Sequence, residues 1–238
     1  MKTFTFILFL CSILGMTHAQ TGFGIRGGLV AGAPVPFPVS NIPTIKGGFP
    51  IVFPTIGAFY ELELTEEWAV LAEINYVRRG LNYHAQVTDM YYEGPWGSAG
   101  SVQAYFTGES RGILDNHYLE LPIQAAYQAG EKNRITLGMY IARLIHKDNP
   151  VSVRGQISGE PGPKTGDLLV QNYRLDEQIN KFDYGWKLGY QRQFSDRIKG
   201  EVRVSGGMKS IFQADFKTFP YSVLNLFAET TVSYRLGK

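Results

Sequence analysis

The feature that most constrains this chain is alternation of apolar and polar residues with a period of two, repeated along most of its length. In residues 68–80, "WAVLAEINYVRRG", one alternate set reads Trp68, Val70, Ala72, Ile74 and Tyr76. The other reads Ala69, Leu71, Glu73, Asn75, Val77 and Arg79. "TIGAFYELEL" sets Ile56, Ala58, Tyr60, Leu62 and Leu64 against Thr55, Gly57, Phe59, Glu61 and Glu63. The same split recurs in "NHYLELPIQAAYQAG", "FDYGWKLGYQRQF", "RIKGEVRVSGGM" and "NLFAETTVSYRL". Weaker versions occur in "FGIRGGLVA" and "RITLGMYIA". About eight strands follow, and the fold is read as all-β.

Alternation alone does not say which face is inside. A soluble antiparallel sheet or lipocalin-like barrel buries its apolar face. A membrane barrel reverses this, with lipid outside and a polar interior. Three signals favour the membrane. Connections alternate between short (65–67, 129–133, 195–196) and long (31–50, 85–115, 148–180, 212–221), as in an up-and-down barrel with short periplasmic turns and long outer loops.

Aromatics supply the second signal. Trp68 and Tyr76 lie eight residues apart on the apolar face, about 26 Å along a strand, or roughly 20 Å of height at a tilt of about 40°. Phe182 and Tyr190 repeat the spacing, while Tyr127 and Phe194 flank short turns. These six are read as an aromatic girdle. Third, Glu61, Glu63, Glu73, Arg79, Glu120, Asp183, Lys187, Glu201, Arg203, Glu229 and Arg235 share the polar face. In a narrow barrel they would form a lumen charge network, since unpaired buried charge is too costly to persist.

The opening "MKTFTFILFLCSILGMTHAQ" has a cation, Lys2, an apolar run and small residues Thr17 and Ala19, the pattern of a secretory signal cleaved after Ala19. Residues 20–238 then form one barrel domain in the outer membrane. Cys11, the only cysteine, would leave with the signal, so no disulfide or thiolate metal site is expected. "TGFGIRGG" matches G-x-G-x-x-G through Gly22, Gly24 and Gly27. A dinucleotide site needs a strand before those glycines and a helix after them. Here almost no chain would precede them, and the prolines at 34, 36, 38, 43 and 50 exclude the helix. No cofactor is expected, and a formal net charge of +2 without a basic stripe points away from nucleic acid.

The residues "GIRGGL", "NYVRRG", "YLELPIQAAY", "FDYGWKLGYQRQF" and the terminal "VSYRL" resemble the PorT-like outer membrane protein beta-barrel group of the Bacteroidota. The resemblance covers the mature chain in order. It implies an up-and-down transmembrane β-barrel in contact with outer-membrane lipid, inserted by the barrel-insertion machinery, and a role linked to protein secretion. Members usually end on an aromatic residue, whereas this chain ends "YRLGK", leaving Leu236 in that place. The long stretches 85–115 and 148–180 leave ten strands open, and Pro122 inside a strand requires a bulge or an unpaired position on the lumen side.

For chemistry, the best constellation is His117 with Asp115, Ser110 being the nearest nucleophile; His84 and His146 lie at other strand ends. An interfacial histidine is more often an amphipathic rim residue, and no metal-ligand spacing occurs, so no enzyme is expected. The expected function is structural, interaction or secretion-accessory, through aromatic outer segments carrying Tyr91, Tyr92, Trp96, Tyr105 and Phe106. The alternatives are an outer-membrane enzyme acting on lipid A, a narrow channel, and a soluble periplasmic ligand-binding barrel.

Overall fold

The structure, a computed structural model, describes residues 21–38, 44–95, 101–158, 167–218 and 221–237. The expected signal and its cleavage after Ala19 lie outside them, as does Trp96. Among the described residues eleven strands form one antiparallel sheet: β1 (Thr21–Phe37), β2 (Thr44–Pro50), β3 (Phe53–Glu63), β4 (Trp68–Pro95), β5 (Ser101–Gly130), β6 (Asn133–Lys147), β7 (Pro150–Ser158), β8 (Asp167–Arg174), β9 (Phe182–Gln193), β10 (Ile198–Gly207) and β11 (Ser222–Gly237).

Eight of these close on themselves. β1 pairs with β3, and each strand then pairs with the next along β3, β4, β5, β6, β9, β10 and β11. The ring shuts through β11 on β1, from Phe23↔Gly237 to Phe37↔Ser222. The eight alternating segments of the sequence are these eight strands, and the ring has eight members rather than ten.

The faces follow the sequence pattern, with the apolar side outward. Ile56 is 65% exposed, Ile123 64% and Leu137 59%, whereas Glu120, Lys187 and Thr136 are fully buried. A soluble barrel would do the opposite. Lipid against the apolar face, and mutual pairing of the charges within, resolve both surfaces.

The glycines of the opening motif serve this wall. Gly24 sits inside β1 with no helix after it. A Cβ there would strike the Tyr234 carbonyl oxygen and lie 2.7 Å from the Phe59 ring. The glycine lets backbone and ring meet closely, so the dinucleotide match is coincidental.

Pro122 is in register with Tyr140 on β6, without a bulge. On the β4 side the pairing lapses between Ala72↔Ile123 and Asn75↔Glu120. Its missing N–H therefore falls in a gap in one ladder, and its ring faces the lumen, buried. Of the two expected solutions, the unpaired lumen position is the one adopted.

The outer half departs from expectation. Residues 85–115 continue the β4–β5 hairpin almost to its tip, as far as Pro95↔Ser101. The stretch 148–180 holds β7, β8 and a 3-10 turn at Asp176–Gln178, and 31–50 holds the end of β1 and all of β2. β2 pairs with β4 over Leu81 to Gln86, and β7 pairs with β5 over Tyr105 to Gly112 and with β8 on its other edge. A five-stranded outer sheet, β2-β4-β5-β7-β8, thus rises from one side of the ring.

Polarity inverts where that sheet begins, although side-chain parity does not change. Along β4 the inward positions are Glu73, Asn75, Val77 and Arg79 in the ring, then Leu81, Tyr83, Ala85 and Val87 above it. The outward positions change from Ile74 to Asn82, His84 and Gln86. Below the switch the solvent outside is lipid; above it the solvent is water, and an ordinary apolar core forms inside. That core contains Phe106, Val151, Val153, Ile157, Ile179 and Phe212, among others.

Candidate functional site

The lumen is filled by charge. At the short-turn end, Glu61 accepts from Lys199 at 2.6 Å, from Arg134 at 2.5 Å and from Arg235 at 3.2 Å. Glu63 lies 3.6 Å from both Arg134 and Arg235. At mid-height, Arg203 donates to Glu73 at 2.8 Å and to Glu201 at 2.7 Å. Arg26 reaches the same two carboxylates. Asn75 and Gln124 also donate to Glu73, and Thr136 to Glu201.

Above them, the Lys187 ammonium lies 2.5 Å from Glu120 and 2.7 Å from Glu229. Arg79 closes the stack between Glu120 and Asp183. Its guanidinium stands 4.9 Å from the Tyr140 ring centre and 5.5 Å from that of Phe227. Asp183 accepts further hydrogen bonds from Tyr140 at 2.9 Å and Asn225 at 2.8 Å.

Each group comes from a strand whose alternate residue faces lipid, so strand parity alone brings them together. Seven cations (Arg26, Arg79, Arg134, Lys187, Lys199, Arg203, Arg235) meet seven carboxylates (Glu61, Glu63, Glu73, Glu120, Asp183, Glu201, Glu229). The lumen charge is thereby balanced among the described residues. An eight-stranded barrel is narrow enough for side chains to fill it, and these do.

The eleven residues read from the sequence as a lumen network all occupy this stack, Glu63 and Arg235 at its half-buried lower edge. Sequence reasoning left Arg26, Arg134 and Lys199 out. Arg26 and Arg134 lie in the two strands with the weakest alternation, β1 and β6, but the parity Gly22, Gly24, Arg26 was available as a signal, and Lys199 alternates in step with Glu201 and Arg203.

The six girdle residues all face outward. Trp68 and Tyr127 stack at 5.0 Å between ring centres beside the short turns, and Tyr190 and Phe194 are at the same end. Phe23, Tyr60 and Tyr234 complete that belt. Phe182 and Tyr76 lie toward the other end, where Tyr76 is half-buried and its hydroxyl is 2.6 Å from His117 Nδ1.

The candidate catalytic group is split by the same parity. His117 Nε2 lies 3.3 Å from Asp115 Oδ1, but Asp115 is held by the Arg78 guanidinium at 2.7 and 2.5 Å. His146 packs on His117 at 4.8 Å between ring centres. These residues form a polar rim on the outward face, at the level where polarity inverts. Ser110 points inward, seven residues away along β5, about 23 Å at strand spacing. The structure therefore joins His117 to Asp115 but not to Ser110. His84 lies elsewhere, 3.3 Å from Glu109. Among the described residues no group of three or more His, Cys, Asp or Glu stands close enough to hold a metal ion.

The outer aromatics divide between two roles. Tyr92 and Phe106 turn inward into the outer core, whereas Tyr105 is 56% exposed and meets Tyr91 edge-on at 6.3 Å. Directly above Arg79, the outer sheet, the end of β1 and the 209–218 loop line a half-open apolar cavity of about 140 Å³. Sequence reasoning does not anticipate it, because its walls come from segments whose pattern reads as loop.

Comparison with solved structures finds low-identity likenesses. The attachment invasion locus protein Ail of Yersinia pestis is 10% identical, with 91% of this chain and 99% of Ail covered and a TM-score of 0.42. Neisserial surface protein A is 8% identical, with 92% and 99% covered and a TM-score of 0.38. OprG of Pseudomonas aeruginosa is 9% identical, with 93% and 98% covered and a TM-score of 0.36. No curated protein matches the chain. Residues 18–213 match the family model described as "Outer membrane protein beta-barrel domain". With most of its length matched and its strands closed into an eight-membered, lipid-facing ring, the chain belongs to the outer membrane protein beta-barrel domain family.

Proposed function

We propose that this outer-membrane barrel neither conducts nor catalyses, and instead carries a rigid surface for other proteins of the cell envelope. The observation that supports this most is the charge-filled lumen standing beneath an ordered outer sheet. Solute passage would require breaking several fully buried ion pairs at once, each costly to open. The outer sheet has its own hydrophobic core, so it is held as a fixed shape and needs little ordering to bind. Its exposed Tyr91 and Tyr105 are residue types favoured at interfaces. Within this reading, the likeness of "YLELPIQAAY" and "FDYGWKLGYQRQF" to the PorT-like group favours a secretion-accessory task.

The test has three arms. Purified protein in planar bilayers is expected to give no discrete conductance steps. Lipid A from cells bearing the wild type and His117→Ala is expected to give the same mass spectrum. Removal of the hairpin tip between Val87 and Gly108 is expected to leave a barrel that migrates fast on an unboiled gel, but to change the set of secreted proteins. Steady channel openings would replace this reading with a narrow channel, and a His117-dependent mass change would replace it with a lipid A enzyme.

A further inference from the structure

The cavity above Arg79 has the composition of a binding site. Its walls include five aromatic rings (Tyr83, Tyr173, Tyr221, Phe212 and Phe216) and the thioether of Met90. Phe212 and Phe216 are tilted against each other at 5.1 Å between ring centres. The buried Ser110 hydroxyl is hydrogen-bonded to Tyr83. Burial raises the Tyr173 phenol well above its ordinary pKa, so the wall around that hydroxyl is poor in water.

Size and floor narrow the occupant further. A dry, engineered cavity of about 150 Å³ lined by Leu, Ile and Phe takes up benzene, and this one holds about 140 Å³. The next inward position along β4 below Leu81, which lines the cavity, is Arg79 of the charge stack. An apolar molecule therefore cannot continue into the lumen without entering a charged layer. On one side the cavity meets a seam in the wall. β1 pairs with β3 only as far as Val30↔Phe53, and beyond it β1 pairs with β11 alone. Pro34 and Pro36 line the cavity there, on a strand edge that proline keeps from pairing.

We propose that this cavity is a terminal binding site for a small, uncharged single-ring aromatic molecule. A ring gains from edge-to-face and offset contacts with several surrounding rings, and from the polarisable sulfur, in a way that an alkyl chain does not. The site stores or senses its ligand; the charge stack below gives it no path to the periplasm.

The experiment is a ¹⁹F NMR titration of fluorobenzene into the full barrel in lipid nanodiscs, with empty nanodiscs of the same lipid as the control. Saturable shift or broadening greater than that in empty nanodiscs is expected, and toluene should reverse it while palmitate should not. Ala85→Trp, which fills the cavity from the β4 wall, should weaken binding by roughly tenfold or more. Ile123→Ala on the lipid face should leave it unchanged. Each variant is first checked for fast migration without boiling, and Met90→Trp replaces Ala85→Trp if that chain does not fold. A response identical to that of empty nanodiscs would overturn the proposal. So would full binding by a folded, cavity-filled variant. Displacement by palmitate but not toluene would overturn it too, because the occupant would then be an acyl chain.

Discussion

Arg203→Leu is expected to destabilise the folded barrel by about 3–5 kcal/mol, the range for removing one partner of a buried ion pair. Arg203 is almost fully buried and bridges Glu73 and Glu201, with Glu229 at 3.9 Å. Without it Arg26 alone faces both of the first two carboxylates. At mid-height and above, the five carboxylates Glu73, Glu120, Asp183, Glu201 and Glu229, which face four cations with Arg203 present, would then face only Arg26, Arg79 and Lys187. Urea titration of folded and unfolded gel bands in lipid vesicles reads the loss. The double variant Arg203→Leu, Glu201→Leu is expected to recover much of it, because a carboxylate leaves with the guanidinium. A loss for the single variant below about 1 kcal/mol, the worth of a solvated pair, would mean that water fills the lumen.

The second large effect is expected on the outside. Ile123 and Ile113 face outward from the same strand, 64% and 40% exposed. They stand ten residues apart, about 33 Å along β5. Between them lies the rim of Arg78, Asp115 and His117, where lipid gives way to water. Ile123→Arg is expected to cost about 2–4 kcal/mol, as an arginine at bilayer depth does, and Ile113→Arg about 0–1 kcal/mol. The same urea titration compares them. Equal costs would place the membrane boundary elsewhere, or remove it.

This pair also shows what was legible in the sequence. Within the membrane a strand has two constant environments, lipid and lumen, so residue type tracks parity and the alternation of "WAVLAEINYVRRG" is clear. Above Gly80 the same β4 strand passes into water, and "NYHAQVTDMYYEGP" mixes hydroxyls, charges and rings on both faces. Its inward Tyr83, Ala85 and Val87 now follow the soluble rule, the reverse of the lower half. A pattern that changes sign halfway along a strand reads as loss of pattern, hence as loop. The outer sheet, and the half-open cavity that it lines, were hidden for that reason.

The lumen was legible for the opposite reason. Parity put Glu61, Glu73, Arg79, Glu120, Asp183, Lys187, Glu201, Arg203, Glu229 and Arg235 on one surface, and eight strands leave that surface no width to remain solvated. Which acid meets which base depends on register and stagger between strands far apart in the chain, such as Glu61 with Lys199. Alternation carries no such information. The His117 site failed on a similar point: Asp115 and His117 share parity and meet, whereas Ser110 has the other parity and cannot.

The apolar face of this barrel meets lipid and its charged face is enclosed, and spin labels read both directly. Cys11 is the only native cysteine, so a chain refolded from Gln20 accepts single cysteines for nitroxide labelling at Ile135, Leu137, Met139 and Ile141 along β6. All four labels, in lipid vesicles, are expected to be relaxed strongly by dissolved oxygen and weakly by a water-soluble nickel complex. The oxygen effect is expected to peak at Leu137 and Met139, and this is the pattern of a lipid-facing strand. Labels shielded from both reagents, or relaxed chiefly by nickel, would contradict it, because the face carrying Leu137 would then be a protein core or a wet surface.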